Sequence, residues 1–292
     1  MKQLSLLLAV LLLSSCDVIN PGEDEPTYLT IESMDLQATT SEGGNTHNIE
    51  DAWVYVNSQL VGIYEMPATF PVLDRGEQVI EVFGGIKRNG RSDLPEAYPF
   101  YERDSITIDL DEGATLEISP TVTYRDDAIF ILVEQFDDET TLMSFDADKI
   151  AVTGMEIITG AESLDGSSGI IRVDTANNFF DIGSVVLEDL PTTANPFYAE
   201  MDFKSDLQMN VGLVAYDVFN NVIYNDFLQG FNPSDEWKKI YIDLTLAMGG
   251  LRSLPGLAYY RMHFTAFLDL NNDEGITEAE ILLDNLKVLK FE

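Results

Sequence analysis

From residue 28 onward, apolar and polar positions alternate over short runs broken by Gly, Pro, Asn and Asp. A period of two sends successive side chains to opposite faces of a strand, and no long stretch repeats at the 3.6-residue interval of a helix. The chain therefore reads as all-β. Its clearest unit is Asp51-Ala-Trp-Val-Tyr-Val-Asn-Ser-Gln-Leu-Val-Gly-Ile-Tyr64, two strands about the turn Asn57-Ser58. Trp53 and Tyr55 fall on one face, and Ala52, Val54 and Val56 on the other. Strands over Phe70 to Leu73, Gln78 to Phe83, Ser105 to Leu110 and Thr115 to Thr123 complete a first region, 28–124. Its strand spacing predicts an immunoglobulin-like (Ig-like) β-sandwich.

A second region, 126–292, opens with the near-continuous apolar strand Ala128 to Val133. Further strands are expected over Ile150 to Ile158, Gly169 to Val173, Phe197 to Lys204, Asn210 to Val218 and Val222 to Phe227. Trp237 to Leu244, Tyr259 to Leu268 and Ile281 to Phe291 follow, and the set predicts a double-sheet jelly roll. Two resemblances bear on these regions. The stretch from Trp53 through Met66-Pro-Ala-Thr-Phe-Pro-Val-Leu-Asp-Arg-Gly-Glu-Gln-Val-Ile-Glu-Val resembles the PEGA-type surface domain, a structural spacer at cell surfaces. In the second region, Glu134-Gln-Phe-Asp137, Asp235-Glu-Trp-Lys-Lys-Ile-Tyr-Ile-Asp-Leu244 and Ile281-Leu-Leu-Asp-Asn-Leu-Lys-Val-Leu289 resemble the carbohydrate-binding-module type of jelly roll. That resemblance implies a glycan ligand.

The first 15 residues have the parts of an export signal: Lys2, then the apolar run Leu4 to Leu13. The run is too short to cross a hydrocarbon layer of roughly 30 Å as a permanent helix. Leu13-Ser14-Ser15-Cys16 resembles the bacterial lipobox, which implies removal of residues 1–15 and lipidation of Cys16. Cys16 is the only cysteine in the chain, so it has no intramolecular disulfide partner. Residues 16–27 are acidic and broken by Pro21, Gly22 and Pro26, the composition of an unstructured tether. Glu23-Asp24-Glu25 resembles the export tag of surface-exposed lipoproteins of Bacteroidota. The expected location is the bacterial outer membrane, lipid-anchored and facing outward.

Charge narrows the partners. Sixteen Lys and Arg against 51 Asp and Glu give a net charge of −35, which repels phosphate backbones and excludes nucleic acid as a partner. Nucleophilic triads are close to excluded, because the one cysteine is assigned to lipid and only His47 and His263 remain as bases. Paired carboxylates at glycosidase spacing would arise by chance on so acidic a surface.

The sharpest local pattern is Asp269-Leu-Asn-Asn-Asp-Glu-Gly-Ile-Thr-Glu-Ala-Glu280. Oxygen-bearing side chains at Asp269, Asn271, Asp273, Thr277 and Glu280 resemble an EF-hand calcium loop, although Gly275 falls one residue late and the flanks read as strands. The stretch reads either as a calcium site or as a solvated acidic hairpin loop. Asp284 offers a second choice, between a structural calcium shared with acids near Phe136 and a simple Asp-Asn hydrogen-bonding pair.

Exposed rings are the usual platforms for sugars. Candidates for ligand binding are Trp237, Tyr259 and Tyr260, with Tyr224, Phe227 and Phe231 beside them. Tyr98, Phe100 and Tyr101, crowded between prolines, read as a packed loop. The expected function is non-catalytic: a lipid-anchored envelope protein whose jelly roll binds a glycan or a partner protein. The alternatives are a glycan-active hydrolase with a carboxylate pair and a purely structural spacer.

Overall fold

The computed structural model describes residues 25–147, 149, 151–188, 195–271 and 275–292. The signal segment, Cys16, the tether as far as residue 24, and Asp273 lie outside them. The first domain holds β1 (Thr27–Ile31), β2 (Asp35–Leu36), β3 (Asp51–Val56), β4 (Gln59–Glu65), β5 (Ala68–Val72) and β6 (Gly76–Lys87). It continues through β7 (Pro95–Ala97), β8 (Tyr101–Glu102), β9 (Asp104–Leu110), β10 (Thr115–Glu117) and β11 (Thr121–Tyr124).

Asn57 and Ser58 both take positive φ, 49° and 65°, as a two-residue hairpin turn requires if its strands are to keep their twist. The turn sets the β3–β4 register, and β3 buries Ala52, Val54 and Val56. β6 is the spine of the larger sheet, pairing with β3 on one side and with β9 and then β7 on the other. Two smaller sheets, β10-β1-β5 and β2-β11-β8, supply the facing layer. Leu29, Ile31, Val54, Phe70, Ile80, Val82 and Val122 fill the space between. The single strand expected over Thr115 to Thr123 is in fact two. Pro120 has no N–H for a ladder and separates β10 from β11, which pair with different neighbours.

The second domain is a jelly roll of β12 (Ile129–Glu134), β13 (Phe145–Asp146), β14 (Glu156–Thr159), β15 (Ser167–Asp174) and β16 (Phe179–Gly183). Next come β17 (Phe197–Ser205), β18 (Met209–Asp217), β19 (Val222–Phe231) and β20 (Ser234–Asp243). A short helix α1 (Thr245–Leu251), β21 (Leu257–Phe267) and β22 (Glu278–Lys290) close it. An inner sheet, facing the first domain, runs β14-β15-β22-β17-β20 with β12 also on β22. An outer sheet, facing away, runs β13-β16-β21-β18-β19. Phe197, Met201, Leu213, Tyr260, Phe264, Ile281 and Leu283 pack between them. The strand expected from Ile150 starts only at Glu156, and β16 goes unforeseen in the sequence pattern.

The two domains meet across the back of the inner sheet. Along β17, Ala199, Met201 and Phe203 enter the jelly-roll core, so the alternation turns Tyr198, Glu200 and Asp202 toward the first domain. Lys239 and Tyr241 of β20, and Lys287 and Leu289 of β22, face the same way. Tyr198, Tyr241 and Leu289 are part of the first domain's core. Glu200 and Lys287 are 0% exposed, yet each is satisfied. The Glu200 carboxylate accepts from Tyr98 at 2.7 Å and from Tyr124 at 2.8 Å, with Lys239 Nζ 3.7 Å away. Lys287 Nζ donates to the Gly44 carbonyl at 2.9 Å and to the Tyr124 hydroxyl at 3.0 Å. Burial pushes the phenols of Tyr98, Tyr101, Tyr124 and Tyr241 well up, so they stay protonated and able to donate. Main chain crosses the joint too, where Asn89 N–H donates to the Tyr241 carbonyl at 2.8 Å.

Two predictions follow from this joint. Glu200→Ala leaves two phenols and Lys239 without their shared acceptor, and breaking a buried charged network costs about 3–5 kcal/mol. Urea unfolding should show that loss, and a change below about 1 kcal/mol would mean the carboxylate does not hold the joint. Asp284, beside Asp202 on the same sheet, has its carboxyl pushed up to about 7 by burial, against the restraining hydrogen bonds of Ser168 and Asn285. An unfolded aspartate titrates near 3.8, so the folded state retains a proton between the two values. That contribution to stability is complete below about pH 4 and lost as pH rises through 7. The melting temperature should fall across this window, and Asp284→Asn should flatten that part of the slope. An unchanged slope would count against a buried, proton-holding carboxyl.

Candidate functional site

The first domain closes the back of the inner sheet, which leaves the back of the outer sheet open. On β21 the residues facing away from the core are Tyr259, Arg261, His263, Thr265 and Phe267; on β18 they are Asn210, Gly212, Val214 and Tyr216. Cross-strand register arranges them in rows. Phe145, Gly183, His263, Gly212 and Phe227 form one row, and Tyr259 and Tyr216 begin another. The rows shape a trough. His263, Val214 and Thr265 on its floor are almost closed to solvent, whereas Phe227 and Phe267 on its rim are 52% and 53% exposed.

Glycine makes the floor possible. A Cβ at Gly183 would lie 2.9 Å from His263 Nε2 and 3.0 Å from the Phe145 ring, so both rings rest directly on that backbone. Arg261 then sits over the ring, its Cζ 4.1 Å from the centre of Phe145 and 5.8 Å from that of Tyr259. Its Nη1 donates to the Ser184 carbonyl, while its Nε is buried without an acceptor. Burial pulls the Arg261 guanidinium down from its ordinary value. Tyr216 and Tyr259 stack at 4.9 Å and 16°. His263 Nδ1 pairs with Asp181 Oδ1 at 2.6 Å, and its Nε2 lies 3.4 Å from the Tyr216 hydroxyl. The β18–β19 turn overhangs this end. Tyr259 donates to Asn220 Oδ1 at 2.8 Å, and the neighbouring Phe219 is 80% exposed. The part-exposed Tyr259 and Arg261 and the exposed rings Phe227 and Phe267, on one face of the sheet, can stack against a sugar face and hydrogen-bond its hydroxyls.

Of the residues singled out from the sequence, Tyr259 lies in this trough and Phe227 on its rim. Tyr260 does not. It is one register step from Tyr259, so the alternation turns it inward, where it fills the core at 0% exposure with no face for a ligand. Phe231 is likewise in the core, and Tyr224 packs against it. Trp237 lies elsewhere, half-buried in a groove between the domains.

The acidic loop after β21 is described only in part, because Asp273 is outside the described residues. Asp269 accepts from Asn271 N–H at 2.9 Å, and Thr277 is exposed. Glu280 is on β22, where its carboxylate takes Arg172 Nε at 2.8 Å across the sheet. Among the described residues no cluster of three acidic, histidine or cysteine side chains is set to hold a metal ion. Asp284 accepts from Ser168 Oγ at 2.7 Å and from Asn285 N–H at 2.7 Å. Nothing in the sequence signals the partners of Arg261, since Phe145 and Ser184 come from distant segments and only the register assembles them.

No protein-family model matches the chain, and no curated protein is similar to it in sequence. Its structural neighbours include carbohydrate-binding modules. The CBM22-1 xylan-binding domain of Paenibacillus barcinonensis Xyn10C is 12% identical at a TM-score of 0.39, over 57% of this chain and 98% of that one. The family 11 module of Clostridium thermocellum Lic26A-Cel5E is 13% identical at 0.32, over 54% and 94%. The enzymatically active domain of bacteriophage CBA120 tailspike protein 4 is 12% identical at 0.33, over 47% of this chain but only 18% of its own length. TM-scores below 0.5 carry no indication of ligand.

Arg261→Lys tests the geometry of the trough. An ammonium lacks the delocalised guanidinium that sits over Phe145 and the fork that reaches Ser184, so stability should fall by about 1–2 kcal/mol. Thermal unfolding measures it, and a neutral substitution would show that the guanidinium is not fixed by these contacts.

Proposed function

We propose that this chain is a non-catalytic, lipid-anchored envelope protein whose jelly roll holds a glycan in the trough of its outer sheet. The observation that carries this reading is the Arg261 guanidinium fixed over Phe145 beside the stacked Tyr216–Tyr259 pair. Aromatic faces and a preset planar donor are what a chain of sugar rings and hydroxyls requires, and little ordering remains to be done on binding. The first domain serves as a rigid spacer, and by covering the inner sheet it aims the trough away from itself. Cys16 supplies the lipid and the acidic tether sets the domains off from the membrane, displayed outward. Ten extended residues reach roughly 30 Å.

A glycan array of the whole mature protein, repeated with Tyr259→Ala and with Arg261→Ala, tests the trough. Binding should weaken about tenfold or more in each variant, since one lost stacking or charge-assisted contact is worth about that much. Binding that neither variant changes would move the site elsewhere, and the absence of any glycan ligand would end the proposal. The anchor has its own measurement. Metabolic labelling with a palmitate analogue should tag the wild-type chain in the membrane fraction, and Cys16→Ser should abolish both label and sedimentation. Label retained by Cys16→Ser would refute lipidation at that residue.

A further inference from the structure

We infer that the groove between the domains is a strand-addition site, which takes an extended peptide segment of a partner protein along the free edge of β20. It is independent of the trough, which lies on the opposite sheet.

β20 is the last strand of the inner sheet and pairs with β17 on one side. In an antiparallel pair, the N–H and C=O of one residue point the same way, and those of the next residue point the opposite way. Two contacts fix which residues of β20 point outward. The Tyr241 carbonyl accepts from Asn89 N–H at 2.8 Å, and Asp243 N–H donates to Asn89 Oδ1 at 2.8 Å. Tyr241 and Asp243 therefore turn their main chain away from β17, and by the same period so does Lys239. Asn89 holds its part of the edge as an added strand would, and Arg88 forms a parallel bridge with Tyr241. The first-domain turn then departs, with Gly90 N–H bonded back to the Lys87 carbonyl and Arg91 N–H to that of Arg88. Lys239 is the next outward residue. Its side chain is 2% exposed but the residue as a whole 8%, so the part that meets solvent is mainly main chain.

The groove has a volume of about 940 Å³ and lies beside this edge. Trp237, Lys238, Lys239 and Ile240 all line it, although consecutive residues of a strand face opposite sides. A space over one face would touch alternate residues; a space off the edge touches all four. A strand added there meets two different surfaces. Toward the first domain stand Asn48 and the Lys239–Asp202 pair, whose Nζ and Oδ2 are 3.4 Å apart. On the other side stand Ile240, Phe203 and Phe231. The segment that fits therefore alternates polar and apolar side chains, while its main chain bonds to Lys239 and supplies the affinity.

Short random peptides, displayed on phage and selected on the whole mature protein, provide the probe. Those selected should alternate polar and apolar residues. Ser92 is exposed on the first-domain wall, and Ser92→Trp, which fills the groove, should weaken their binding about tenfold or more. N-methylation of alternate peptide amides should abolish binding, because it removes main-chain donors and keeps the side chains. Hydrogen exchange at the Lys239 amide should be fast in the free protein and slow about tenfold or more in the complex. The trough variant Arg261→Ala should bind the peptides as the wild type does, which separates failure here from failure of the trough. The inference falls if no peptide is selected, if Ser92→Trp binds them unchanged, or if the Lys239 amide exchanges equally in the free protein and the complex. A xylo-oligosaccharide bound in place of any peptide, and lost in Trp237→Ala, would make the groove a glycan site instead.

Discussion

A carboxylate removed from water must have its hydrogen bonds made for it, and Glu200 imposes that condition on the whole molecule. The residue is there because β17 alternates. A strand that gives Ala199 and Met201 to the jelly-roll core must turn Glu200 the other way. In a free-standing jelly roll that side would be wet. Here it is dry, and the phenols of Tyr98 and Tyr124 do what water would have done. The position of the first domain is therefore specified by polar geometry as well as by apolar contact, since a small slip would strand Glu200 and Lys287 together.

The remaining arrangement follows from that joint. Covering one sheet leaves the other to meet the surroundings, and its outer surface holds the rings and Arg261. The groove exists because coverage is incomplete, ending short of Trp237. Two surfaces of different make-up thus sit on one jelly roll: an aromatic trough floored by an imidazole, and a cleft at the domain boundary whose Lys87, Arg91 and Lys239 are held by carboxylates of both domains.

Much of the architecture was legible from alternation alone. The β3–β4 hairpin, its turn and its buried face all follow from residues 51–64, because a two-residue period with Asn-Ser between is a local signal. The pair Tyr259-Tyr260 shows the limit of that reading. Alternation says that only one of the two can face outward, but which one depends on the register β21 takes with β16 and β18. Tyr98, Phe100 and Tyr101 read as a packed loop and do pack, yet their partners Glu200, Tyr198 and Tyr241 belong to the other domain. Nothing in the run Tyr-Ala-Glu-Met-Asp distinguishes a strand with a wet back from one with a covered back. Arg261 was hidden for the same reason, since its setting is made of residues that only the sheet brings together.

The covered sheet bears on how such a protein can be inherited and rebuilt. A module with a wholly solvated surface can be cut out and spliced beside new neighbours. This jelly roll cannot be moved so freely, because its tyrosine- and lysine-bearing back was composed for one particular lid. Any descendant that recombines it must bring along Tyr98, Tyr124 and the loop around Gly44, or rewrite Glu200 and Lys287 in the same step. The two domains are thereby bound to change together, as a single hereditary cassette, even though each has a core of its own.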